Sequence, residues 1–146
     1  MPKKRVVPGD EILQVSLGVQ LLDFSEAEPL VNQTWAGAEE VLETVDLSRH
    51  PASAAALRVL LDRGWEADSV TGLLLGIWMR KTAPAAEIAG DLLALDRPLR
   101  RVLTALYAQG DTRSVVQYSL TRDGNLMQHT YSRKAMGTAD IKLFPA

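Results

Sequence analysis

Four residues between positions 97 and 104 have the types and spacing for recognition chemistry. Arg97, Arg100, Arg101 and Thr104 share a stretch in which Leu99, Val102, Leu103 and Leu106 recur at i, i+3, i+4 and i+7. That period predicts an amphipathic helix over 96–109. Asp96 is placed to cap its N-terminus, Pro98 suits its first turn, and Gly110 follows its last periodic residue. The arginines then lie off the apolar stripe, near the N-terminal end. A guanidinium can bond guanine bidentately, and the N-terminal residues of a helix laid in the major groove reach base edges. Arginines on an exposed helix face more often only keep it soluble, so the flanking segments must decide between the two readings.

Both flanks favour recognition. Upstream, Ala85, Ile88, Ala89, Leu92 and Leu93 predict a short apolar-faced helix, separated from the arginine-bearing one only by the turn around Ala94 to Asp96. Such spacing is that of a helix-turn-helix. Downstream, Asp123-Gly124 is a favoured pair for a two-residue hairpin turn. Pairing strands around it sets Leu120 opposite Met127, Tyr118 opposite His129 and Val116 opposite Tyr131, all on one face. Arg122 and Asn125 then stand at the hairpin tip and Arg113 near its base.

Two helices, a tight turn and a hairpin in this order resemble the winged-helix regulators of the multiple-antibiotic-resistance and arsenic-repressor type. The resemblance rests on Glu87, Ile88, Ala89, Leu92, Leu103, Leu106 and Gly110, which fall in the register E-L-A-x-x-L-G, turn, L-x-x-L-x-x-x-G. It departs from that pattern at the turn, where Leu93 and Ala94 stand in place of glycine. The resemblance implies a bacterial-type transcriptional regulator that binds double-stranded DNA as a homodimer. It also implies that Arg122 touches the minor groove or the phosphate backbone. A winged helix that docks on proteins, or forms an assembly subunit without binding DNA, is the alternative.

The bounds on the chain fit either reading. Its 146 residues suit one domain or a small module with an extension. Net charge is −2, but residues 1–66 carry −5 and residues 67–146 carry +3, so the positive field belongs to the C-terminal half. There is no cysteine, which removes disulfides and thiolate metal sites and is compatible with a cytoplasmic location. No apolar run approaches the ~20 residues that cross a bilayer, and no secretory leader is expected. The chain shows no nucleophile elbow, glycine-rich phosphate loop or metal-ligand spacing. No catalytic residue, metal or cofactor is therefore assigned, and the chain is read as a non-enzyme.

The remaining elements are read by period. Lys3, Lys4 and Arg5 form a basic arm read as a frayed terminus. Residues 10–24 fit both a strand, through Val15, Leu17, Val19 and Leu21, and a helix, with a slight lean to helix. Ser25 to Val45 reads as a helix whose Ser25 and Glu28 resemble a capping box. Its Glu39, Glu40 and Glu43 form a solvated acidic edge. Pro51 to Asp62 reads as a helix ended by Gly64, with His50 as a structural or exposed histidine beside it. Trp65 to Arg80 reads as the helix opening the winged unit, with Trp65 and Trp78 in the core. The expected fold is mainly α with a C-terminal β-hairpin. It comprises an N-terminal helical region (1–64) for dimerisation or partner contact, a winged helix-turn-helix (65–133) and a tail (134–146).

Overall fold

The structure is a computed structural model that describes residues 3–67, 70–71, 74–95, 97–100, 102–108 and 114–132. The organising element is a strand. In Ile12–Gln20 the residues Leu13, Val15, Leu17 and Val19 are buried, while Ile12, Gln14 and Gln20 are exposed. Strict alternation, two valines and Gly18 outweigh the weaker helical period of this segment. The strands are β1 (Lys3–Val6), β2 (Ile12–Gln20), β3 (Thr34–Trp35), β4 (Val70–Thr71), β5 (Gly76–Pro84), β6 (Leu103–Ala108), β7 (Ser114–Leu120) and β8 (Leu126–Ser132). The helices are α1 (Phe24–Ala27), α2 (Ala38–Thr44), α3 (Pro51–Asp62), α4 (Ala85–Leu93) and α5 (Arg97–Arg100), with a single 3₁₀ turn at Glu28–Leu30.

Six strands form one antiparallel sheet in the order β1-β8-β7-β6-β2-β5, and β3 pairs with β4 separately. One sheet face carries Leu13, Val15, Leu17, Ile77, Met79, Val116, Tyr118 and Leu126, all buried. Helix α4 packs on β5 and β8, and α3 packs on β2. They contribute Leu57, Leu60, Ile88, Ala89 and Leu92 to the same core. Three of the expected elements stand: α3 and α4 at the expected residues, and the hairpin as a pair of strands. Gly64, at φ 87°, ends α3 as expected, and the Trp65 N–H returns to the Leu60 carbonyl at 3.0 Å.

The expected mainly helical fold is overturned: the chain is a mixed α/β protein built on a six-stranded antiparallel sheet. The helix expected over 96–109 stops at Arg100, and Leu103–Ala108 is strand β6, paired with β2 and β7. Its stripe has no period-two reading, but the gap between β2 and β7 captures the segment as a strand, with a register shift opposite Gly18 and Val19, a tertiary demand that overrides local propensity. The helix expected over 65–80 is instead strands β4 and β5, and Trp78 is 50 % exposed. The helix expected over 25–45 breaks into α1, the 3₁₀ turn, β3 and α2. Pro29 and Gly37 divide it, and the capping box is formed by Asp23 and Glu26 rather than Ser25 and Glu28. The basic arm is not frayed, since Lys3–Val6 pairs with β8. The tail from 133 onward lies outside the described residues.

The hairpin register differs from expectation by one residue. Leu120 pairs with Leu126, Tyr118 with Gln128 and Val116 with Thr130. Arg122, Asp123 and Gly124 make a three-residue loop, closed by Thr121 N–H to the Asn125 carbonyl at 2.8 Å. Gly124 takes φ 83°, as the bulged form of such a loop requires. A one-residue slip exchanges faces, so Met127 and His129 leave the face of Tyr118, and Leu126 joins it.

Candidate functional site

The described residues among those expected to read DNA are spread over α5, β6 and the hairpin tip. Arg97 and Arg100 bound the four-residue α5, and Arg100 is half-buried. Thr104 belongs to β6, so no helix aligns it with the arginines. Arg122 and Asn125 are exposed at the hairpin tip, as expected. Arg101 and Arg113 lie outside the described residues.

A different site takes shape around Trp65. The expected acidic edge of a long helix becomes the wall of an open cleft of about 770 Å³. Glu39, Glu40 and Glu43 come from α2, Glu66 from the segment after α3, and Leu61, Trp65 and Ala67 line the rest. Gly37 precedes α2 in an extended conformation, and a Cβ there would sit 3.4 Å from the Ala67 carbonyl oxygen. The α2 wall is locally tied: Ala36 N–H donates to Glu40 Oε2 at 2.7 Å, and Trp35 Nε1 donates to Thr44 Oγ1 at 3.1 Å. Glu66 is tied to the sheet by two backbone hydrogen bonds with Arg80, at 2.9 and 2.6 Å.

Behind the cleft sits a buried ionic cluster. Asp91 on α4, with its side chain 4 % exposed, accepts from Lys81 Nζ at 2.6 Å, Trp65 Nε1 at 2.9 Å and Arg63 Nη1 at 3.3 Å. Lys81 also donates to the Arg63 carbonyl at 2.6 Å and pairs with Glu87 at 2.9 Å. Burial works against the Lys81 ammonium, but the hydrogen bonds it donates to Asp91 and Glu87 outweigh it and raise its pKa. A lysine held protonated is a tether, not a nucleophile. The cluster fixes Trp65, and with it the cleft floor, to α4 and β5.

Two histidines make polar pairs away from the cleft. His50 Nε2 lies 2.6 Å from Glu26 Oε1, joining the cap of α3 to α1. That contact, followed by the Asp23 N–H, lowers the Glu26 pKa. His129 Nε2 lies 2.9 Å from Ser119 Oγ across β7 and β8. Burial, then the Lys4 charge, lowers the His129 pKa.

The cleft was missed in the sequence because its two walls are separated by all of α3. Only Glu39, Glu40 and Glu43 cluster locally, and solvated helix faces carry the same pattern. The chain matches no protein-family model, no curated protein and no solved structure. Among the described residues no helix is long and apolar enough to cross a membrane.

Proposed function

We propose that this chain is a protein-docking module, not an enzyme, and that its acidic cleft receives a lysine- or arginine-rich segment of a partner protein. One observation carries the reading: an open cleft of about 770 Å³ is lined by Glu39, Glu40, Glu43 and Glu66, with no lysine or arginine among its described lining residues. Ionised carboxylates are acceptors only, so they select donors, and ammonium and guanidinium groups are the strongest donors a protein offers. The apolar floor of Leu61 and Trp65 suits the methylene stems of those side chains. Rigid support behind the floor lowers the ordering cost of binding. The module needs no cofactor for this role, and its lack of cysteine fits work in the cytoplasm.

Sequence-specific DNA binding by a homodimer is the second reading. It rests on Arg122 and Asn125, which stand exposed at the hairpin tip. Fluorescence anisotropy with a short labelled oligolysine peptide and with mixed duplex DNA separates the two. Docking predicts peptide binding that weakens with salt and drops at least ~10-fold in Glu39→Gln/Glu43→Gln. Peptide binding indifferent to that double variant overturns it. DNA binding that depends on Arg122 instead supports the second reading.

A further inference from the structure

Away from the cleft, the start of α1 and the start of α3 bring together three donors that the cleft does not use. Asp23, Glu26 and His50 each offer one ligand atom, and these atoms lie within 4.8 Å of one another. The Glu26 and His50 side chains are 18 % and 21 % exposed, while Asp23 faces solvent. The three donors thus grade from half-buried to exposed, within reach of an ion arriving from solvent. We propose that Asp23, Glu26 and His50 form a binding site for a zinc-class divalent cation.

The donor set fits that cation better than its competitors. Imidazole selects zinc over magnesium and calcium, which prefer oxygen donors alone. One imidazole and two carboxylates make three protein ligands, and water completes a tetrahedral shell. The backbone already holds the donors in place. Asp23 is the N-cap of α1, and its N–H donates to Glu26 Oε1 at 3.1 Å, which orients the carboxylate. His50 is the N-cap of α3, with its own N–H bonded to the Leu47 carbonyl at 2.9 Å.

Little rearrangement is needed. His50 Nε2 and Glu26 Oε1 stand 2.6 Å apart, a distance that holds one proton between them. Zinc bonds to nitrogen and oxygen at about 2.0–2.2 Å, so tetrahedral ligation opens that separation to roughly 3.3 Å and releases the proton. Asp23 supplies the third ligand atom, already within 4.8 Å of the other two. Arg49 is the cation near Glu26 that a bound metal must tolerate. Because Glu26 and His50 are 24 residues apart, the ion would cross-link α1 to α3 around the segment that carries α2.

The test uses the untagged full chain, freed of metal by chelation, with Zn²⁺ as the only added ligand. Calorimetric titration is expected to saturate near one Zn²⁺ per chain, with a rise in melting temperature. His50→Gln removes both effects, and His129→Gln, which changes the only other histidine, leaves them intact. Asp23→Asn keeps a competent helix cap and removes one anionic ligand, so it retains the fold while weakening Zn²⁺ binding at least ~10-fold. Absence of saturable binding overturns the proposal. So does a response that survives His50→Gln, or one that Mg²⁺ reproduces equally well.

Discussion

Asp91 and the cleft glutamates are carboxylates on two sides of one tryptophan. Trp65 donates its indole N–H to Asp91 and also lines the floor beneath Glu39, Glu40, Glu43 and Glu66. Asp91 is out of water and accepts three donors. The cleft glutamates face an open space. A buried carboxylate is retained for the groups that satisfy it, and removing it strands them. Solvated carboxylates cost little to keep and little to remove, so stability gives no reason for four to gather around a cavity. The contrast separates what holds this protein together from what it can offer a partner.

The strongest break in that contrast is Asp91→Ala. It leaves Lys81 charged, largely removed from water, and with the exposed Glu87 as its remaining carboxylate partner. The expected loss is about 3–5 kcal/mol, with Arg63 adding little because it is half in solvent. A lower urea midpoint at unchanged slope is the readout, and a loss below about 1 kcal/mol would show that the cluster is not structural. Trp65→Phe is gentler. It keeps an aromatic floor and removes one donor to a charged acceptor, so about 1.5–3 kcal/mol is expected. Oligolysine affinity should stay near wild type, because the floor remains apolar.

Alkaline titration sharpens the same contrast without a change in core volume. The folded-state pKa of Lys81 is raised above its ordinary 10.5. The native state therefore holds this proton more tightly than the unfolded chain. The stabilisation is complete below about pH 10.5 and is lost as pH rises through the higher folded value. Arginine keeps its proton throughout that range, so Lys81→Arg should show a shallower alkaline loss than wild type in parallel urea titrations. Equal slopes for the two proteins would remove Lys81 from the account.

The sequence was readable where local pattern and tertiary demand agreed. Pro51–Asp62 carries proline at its start, Gly64 past its end and helical period between, and it is helix α3. Ala85–Leu93 is helix α4 for similar reasons. It misled where sheet pairing overrode a helical stripe. Leu99 to Leu106 scores as a helix face, yet β2 and β7 leave a strand-wide gap that Leu103–Ala108 fills. The hairpin was legible as a hairpin, but Asp123-Gly124 serves a three-residue loop, and that single extra residue exchanged the two faces. Neither the cleft nor the Asp91 cluster was legible. Trp65 and Asp91 are 26 residues apart, Glu26 and His50 are 24, and nothing in local spacing announces either contact.

The smallest expected effect on stability tests the other side of Trp65. Glu39→Gln/Glu43→Gln removes two charges from α2 and leaves its backbone unchanged. Glutamine matches glutamate in helix propensity, so that contribution cancels. Losing the Glu39 charge near the N-terminus of α2 costs a few tenths of a kcal/mol, and losing the Glu43 charge in its last turn offsets part of that. Separating fewer like charges around one cleft returns a similar amount. The net change should fall within about 0.5 kcal/mol, in contrast to Asp91→Ala. A gain well above that figure would mean the glutamates repel one another strongly in the free protein. Such strain would itself mark a surface kept acidic at the expense of stability, and the same double variant would then bind oligolysine least.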